Sequence, residues 1–255
     1  MDLRAKIMDL DVSRLRSPVR LLRAMISRTL ALIVPLHSWR IRLRPHAQLF
    51  AKAYAAEVWG SAESRSGQGS EVGATTSIRP FLSELFAQLS IRTFLDAPCG
   101  DWNWMRLVDL KGVDYIGADI VPAVIESNRA RFSRDGVRFM VADLIRDDLP
   151  RADLVLCRDC WIHLSFQDIA AILENFRRSG ATWLLVSNSP PKTRNWNTFT
   201  GLGWRHLNLQ LAPFLFPPPL ESRPDHYPHV PLEIALWRIA DLPSVRITSP
   251  KRLFS

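Results

Sequence analysis

Arg92–Met105, RTFLDAPCGDWNWM, is the stretch that decides the reading of this chain. Thr93-Phe94-Leu95 is a short apolar run rich in strand formers, and it stops at Asp96. Ala97-Pro98-Cys99-Gly100-Asp101 makes a tight turn, and Trp102–Met105 can open a helix. A strand, a turn and a helix, with a carboxylate at the strand's end, form the first unit of a nucleotide-type α/β sheet. Gly100 has no Cβ, so a ligand can approach the backbone closely there. An ionised Asp96 only accepts hydrogen bonds, which suits a ligand presenting N–H groups, hydroxyls or positive charge.

Outward from this stretch, apolar runs and helical patterns alternate. Before it, Ile78, Phe81, Leu82, Leu85, Phe86 and Leu89 share one helical face, with Thr76 or Ser77 as cap. After it, Asp114–Ile120 reads as the second strand. Its Asp119 stands 23 residues beyond Asp96, where a carboxylate can accept hydrogen bonds from both hydroxyls of a ribose. Pro122 opens a helix whose buried side takes Val124, Ile125, Ala130 and Phe132. Val137–Asp143 is the third strand and also ends in an acid. Ala152–Cys157 is the fourth strand, and Ser165 with Asp168 makes a capping box for the helix that follows. Trp183–Asn188 is the fifth strand, and Leu232–Ile239 is the last, antiparallel to its neighbours. Three strand ends carrying Asp96, Asp119 and Asp143, with a Cys-Gly turn after the first, seldom arise together by chance.

The Asp96–Trp102 segment resembles motif I of class I S-adenosylmethionine-dependent methyltransferases, D-x-G-C-G-x-G. Asp96, Cys99 and Gly100 match it, while Pro98 and Trp102 stand at the first and third glycines. The resemblance covers about residues 59–242 and implies a doubly wound, mostly parallel seven-stranded sheet with helices on both faces. It implies that S-adenosylmethionine is held by Asp96, Pro98, Cys99, Gly100, Asp119, Ile120, Asp143, Leu144 and Arg158. In related enzymes an R-D-x-x-x-H-L segment faces the methyl donor, and Arg158, Asp159, His163 and Leu164 match it. His163 or Asp159 is then the base for a hydroxyl acceptor, with His206 in reserve. The pieces T-G-x-x-W-R-x-L-N-L and P-F-x-F-P-x-P also match, at Thr200–Leu209 and Pro213–Pro219. They place Arg194, Asn197, Trp204, Arg205 and His206 on the side of a small-molecule or glycan acceptor. Arg158, Arg194 and Arg205 are the forked donors suited to an anionic one. Trp59 and Ser66-Gly67-Gln68-Gly69-Ser70 match a segment found upstream of motif I in similar bacterial enzymes.

Composition sets the frame. The 255 residues, 47% hydrophobic, allow one ordinary domain plus an appendage. Residues 1–50 hold ten Lys/Arg against three Asp/Glu (+7), and the remainder holds 23 against 22 (+1). A near-neutral domain argues against nucleic acid as substrate. Residues 17–44 combine Ser17-Pro18, an apolar spacing of three and four from Val19 to Ile33, and several arginines. That pattern makes them a candidate for peripheral contact with an anionic membrane; packing on the domain, or a loosely ordered extension, is the plainer reading. Residues 51–75 begin with an Ala-rich helix ending at Gly60 and continue as a small, polar stretch that reads as a linker or a lid. Residues 76–189 are the α/β core. Residues 190–231 contain nine of the 18 prolines and read as a rigid substrate-side insertion, and residues 232–255 are the last strand and tail. Cys99, Cys157 and Cys160 are too few for a disulfide framework, which points to a reducing, cytoplasmic setting, with the basic segment suiting the inner membrane face. Cys157, Cys160 and His163 have metal-like spacing but no second ligand pair, so no metal is expected. An NAD-linked oxidoreductase would want G-x-G-x-x-G after the first strand, which is absent. A non-catalytic membrane-associated module would be expected to lose the strand-end acids. The chain leaves the acceptor and the oligomeric state open.

Overall fold

In the computed structural model, residues 46–227 and 230–247 are described. All lie in one compact unit that begins at Arg44. The proposed membrane contact at residues 17–44 lies outside the described residues. Helix α1 (His46–Ala55) begins inside the basic region and ends five residues before Gly60. Helix α2 (Ile78–Gln88) leads into strand β1 (Thr93–Asp96), followed by β2 (Asp114–Asp119), helix α3 (Pro122–Phe132), β3 (Val137–Val141) and β4 (Leu154–Cys157). Helix α4 (Phe166–Arg178), β5 (Trp183–Asn188), β6 (Glu221–Tyr227) and β7 (Val230–Arg238) complete the order.

The seven strands form one sheet in the order β3-β2-β1-β4-β5-β7-β6. β3, β2, β1, β4 and β5 run parallel, and β7 is antiparallel to both β5 and β6. The chain winds outward from β1 through β2 to β3, then returns to β4 on the other side. β1 and β4 therefore flank the switch point, beyond whose carboxyl ends open α/β sheets bind ligands. Strand alternation divides the core between two faces. Leu95, Ile116, Val155 and Leu184 pack on the buried stripe of α4, which is Ile169, Ile172, Leu173 and Phe176. Phe94, Tyr115, Leu154 and Leu185 pack on Ile78, Phe81, Leu82 and Leu85 of α2 and on Ile125 of α3.

Several local expectations are corrected. Ser77 is the N-cap of α2 but makes no cap bond, because its hydroxyl donates to the Pro224 carbonyl at 2.6 Å. On α3 the buried third position is Asn128, while Ala130 is exposed. β6 lies inside what the composition marks as insertion. The Ser165–Asp168 cap is present, with Ser165 Oγ accepting from the Asp168 amide at 3.1 Å. The Ser165 amide donates to Thr200 Oγ1 at 2.9 Å, and Thr200 in turn bonds Asp168, so the insertion supplies the other half of the cap.

Candidate functional site

The Asp96–Trp102 turn is fixed by both neighbouring strands. Ala97 N donates to Leu156 O at 2.9 Å beside β4, and Cys99 N to Ala118 O at 2.8 Å in β2. Gly100 has φ +52°, and a Cβ there would run into Ser66. Its amide donates to Asp119 Oδ2 at 3.2 Å, and its carbonyl accepts from Asn128 Nδ2 at 2.7 Å. Trp102 does not continue the loop toward a ligand. It turns back into the core, 1% exposed, against Tyr115, Phe132 and Phe139. The departure from glycine at that position is therefore a packing feature.

The two central acids differ in their partners. Asp96 Oδ2 accepts from the Tyr115 hydroxyl at 2.7 Å, and burial pushes its carboxyl up to about 7. Asp119 Oδ1 accepts from Val121 N at 2.9 Å, and burial pushes this carboxyl up to about 6 against the pull of its backbone donors. Asp119 is buried, 8% exposed, although it ends its strand. Asp143 lies two residues past β3, half-buried, and accepts from Ile145 N at 3.0 Å. Pro98 and Ile120 are half-buried, and Cys99 is buried beside Gly117. The Leu144 side chain belongs to the core under α4.

Both raised carboxyls bear on stability in the same direction. Between pH 8 and 5 the folded, ligand-free protein takes up protons at Asp96 and Asp119 that the unfolded chain, with ordinary carboxylates, does not. Folding is therefore favoured by these groups as pH falls through that window, the reverse of a salt-bridged acid. Asp96→Asn should remove its share. The stability of the wild type relative to the variant should rise by about 1–3 kcal/mol from pH 8 to 5 in denaturant titrations. A difference that stays flat with pH would show that Asp96 titrates normally.

The segment after α1 folds onto the motif loop. Asp101 accepts from Ser64 Oγ at 2.9 Å and from Arg65 N at 2.9 Å, and Asn103 Nδ2 donates to Glu63 Oε1 at 2.7 Å and Ser70 O at 3.0 Å. Tyr54 of α1 sits close enough to Asp101 and Asp119 that, after burial, their charges raise its hydroxyl further. No sequence pattern marked Tyr54, a single aromatic in an Ala-rich helix, nor Asn128.

Beyond β4 the second half of the site gathers. Asp159 has φ +53° and lies against Ser187, which receives its amide at 2.9 Å. His163 Nδ1 is 3.0 Å from Gly203 O, and its ring meets Trp59 edge-on at 6.3 Å. A carbonyl only accepts, so Nδ1 carries the proton and Nε2 keeps the lone pair. Burial holds the imidazole below its ordinary range, and hence neutral at pH 7. His206 packs edge-on to Trp204 at 4.9 Å and is likewise lowered by burial and by Lys192.

Three expected ligand contacts are corrected. Arg158 directs Nε and Nη2 to Asp225 of β6 at 2.9 and 2.7 Å, and Nη1 to Gly69 O at 2.7 Å, so its fork is committed inside the protein. Arg205 is buried and donates to Trp161 O, Ile162 O and Trp196 O at 2.8 to 3.1 Å. Asn197 Oδ1 caps α4 through Phe166 N at 2.8 Å. Arg194 and Trp204 are exposed. Among the described residues no three His, Cys, Asp or Glu side chains cluster as a metal site would, and no helix is long and apolar enough to cross a membrane. A cavity of about 530 Å³ opens at the other end of the sheet, among Arg92, Lys111, Asp114 and Arg134, away from the carboxyl ends of the strands.

Comparison with known proteins agrees with this layout. Residues 94–180 match the family model described as a methyltransferase domain. No curated protein matches the chain. Among solved structures, the 1,6-didemethyltoxoflavin-N1-methyltransferase of Burkholderia thailandensis, with bound 1,6-didemethyltoxoflavin and S-adenosylhomocysteine, superposes with TM-score 0.52 at 19% identity, covering 74% of this chain and 84% of that one. Magnesium protoporphyrin IX methyltransferase from Synechocystis gives 0.49 at 13%, covering 75% and 94%. Human N-acetylserotonin methyltransferase gives 0.46 at 16%, with 76% of this chain spanning 60% of that protein's length. The match is to a methyltransferase domain and not to an oxidoreductase. Over residues 94–180, which lie in the seven-stranded, mostly parallel sheet, the chain is similar to methyltransferase domains.

Proposed function

We propose that the protein transfers the methyl group of S-adenosylmethionine to an oxygen or nitrogen of a small-molecule or glycan acceptor. The observation that carries this reading is the junction of Asp119 with Gly100, a ribose-suited carboxylate bonded at 3.2 Å to the glycine amide of the motif turn. Each Asp119 oxygen takes one backbone donor and has a second lone pair for a ribose hydroxyl. Gly100 lets the rest of the donor lie against the backbone, Asp96 faces its cationic end, and Asp143 stands at the adenine side. The Burkholderia structure of similar fold, which holds S-adenosylhomocysteine, supports the donor.

Acceptor attack in line on the sulfonium methyl gains from orientation and from exclusion of water. Tyr54, Trp59 and the segment tied to Asp101 are placed to exclude water. His163, neutral with its lone pair on Nε2, takes the proton of a hydroxyl acceptor, and Asp159 stabilises the imidazolium that results.

Asp119→Ala tests the donor site. Hydrogen bonds to a charged group contribute roughly 1.5–3 kcal/mol each, so the variant should bind S-adenosylmethionine and S-adenosylhomocysteine alike about 30- to 1000-fold more weakly. Loss of the Gly100 tether acts in the same direction. Asp119→Asn, which keeps one acceptor oxygen, should lose less. Calorimetric titration decides it: unchanged affinity in a folded Asp119→Ala protein removes the ribose assignment. A wild type that binds neither ligand at millimolar concentration removes the methyl-transfer reading.

A further inference from the structure

The segment that closes the acceptor side displays apolar side chains to solvent although its backbone is held firmly. Arg205 ties its base, donating to Trp196 O at 3.1 Å and to the Trp161 and Ile162 carbonyls past β4. Asn197 and Thr200 bind the amides of Phe166 and Ser165 at 2.8 and 2.9 Å, and Gly201 N donates to His163 O at 2.9 Å. On this fixed loop Trp196 is 51% exposed, Leu202 40% and Trp204 46%. A rigid loop that gained nothing from display would be expected to turn such side chains inward, and grouped exposed apolar surface marks an interaction site. Charge adds a second, independent observation. Lys192 and Arg194 lie just before Trp196, and residues 190–204 hold no acid. Lys192 Nζ lies 5.8 Å from the centre of the Trp196 ring, so cation and aromatic sit together at the loop's edge. Tryptophan and leucine beside basic groups is the composition that seats at the boundary of an anionic lipid surface.

We propose that the Trp196–Trp204 loop is a foot that rests the acceptor side of the site on an anionic membrane surface. Resting on the methyl-transfer reading above, this makes the acceptor an amphipathic molecule presented from the lipid. A soluble saccharide would use the tryptophans as stacking platforms but would leave the exposed Leu202 and the neighbouring Lys192 and Arg194 without a purpose.

The test is co-sedimentation of the full chain with vesicles of phosphatidylcholine alone and of phosphatidylcholine with phosphatidylglycerol, at low and high salt. Binding of S-adenosylhomocysteine is measured by calorimetry in parallel. The wild type should partition to the anionic vesicles at low salt and release at high salt, because the attraction is screened. The variant W196S/L202S should partition about tenfold or more weakly, since two apolar groups no longer enter the interface. K192Q/R194Q should bind anionic vesicles about 10- to 30-fold more weakly, since each basic residue near the surface adds to the attraction. Both variants should bind S-adenosylhomocysteine as the wild type does, which separates the foot from the donor site. The proposal falls if the wild type does not sediment with anionic vesicles, or if W196S/L202S sediments as the wild type does. The second result would assign lipid binding to residues elsewhere. Unchanged sedimentation with raised KM for a soluble saccharide would replace the foot by a sugar platform.

Discussion

Arg158→Met should lower the stability of the fold by about 3–5 kcal/mol, the cost of leaving one member of a buried ion pair without its partner. For a domain of this size that is a fall in Tm of roughly 6–20 °C. Arg158 joins three parts of the protein. It follows β4, it grips both carboxylate oxygens of Asp225 on β6, and it donates to Gly69 O in the segment over the motif turn. The Asp225 side chain is fully buried. Removing the guanidinium therefore strands a carboxylate in the interior, which must be desolvated, protonated or exposed by local opening. The double variant Arg158→Met/Asp225→Val should recover most of the loss, because the stranded charge is gone and valine suits a strand. Thermal unfolding of both variants checks this. An Arg158→Met protein that melts with the wild type would show that the pair contributes nothing. A double variant as unstable as the single would place the cost in the lost contacts with Gly69 O and with the Asp159 carboxylate, 3.3 Å from Nη1.

That pair also shows which parts of the molecule sequence reasoning reaches. The parallel strands were legible because each is a short, mostly apolar run, three of them ending at Asp or Asn, and burial between helices demands such runs. β6 was not legible: Glu221-Ser-Arg-Pro-Asp-His-Tyr is polar, carries a proline and lies at the edge of the sheet, where water replaces packing. Without β6, Asp225 has no location, and Arg158 reads as a ligand-binding arginine. Arg205 and Asn197 were misread for the same reason. A guanidinium or an amide looks the same in sequence whether it holds a substrate or three carbonyls of its own chain. Asp96 and Asp119 were legible because strand ends are fixed by periodicity, whereas their raised carboxyls depend on burial that only packing supplies. The Ser64–Ser70 stretch read equally as linker or lid. What ties it down is Asp101 and Asn103, whose reach across roughly 35 residues of chain no local pattern encodes.

His163→Ala should lower turnover of S-adenosylmethionine on a hydroxyl acceptor by about 10²–10⁴-fold, the usual contribution of a positioned general base. Both protonation state and place suit His163 to this role. Burial keeps the imidazole neutral at pH 7, so it need not first lose a proton to act. The contact of Nδ1 with Gly203 O fixes the tautomer and leaves Nε2 basic. Asp159, four residues earlier and two past the end of β4, favours the charged form that appears when the proton arrives. Turnover of the wild type should rise with pH through the lowered His163 value, below the ordinary 6.5, and the variant should lose that limb. Affinity for S-adenosylhomocysteine should stay within about threefold, because the ring contacts Trp59 and Gly203 rather than the ribose side. A merely structural histidine predicts the opposite pattern. Replacing it would cost the Trp59 and Gly203 contacts and lower Tm, while kcat per folded molecule and its pH limb persisted. That outcome would move the base to Asp159 or His206, or assign the reaction to a nitrogen acceptor that needs no base.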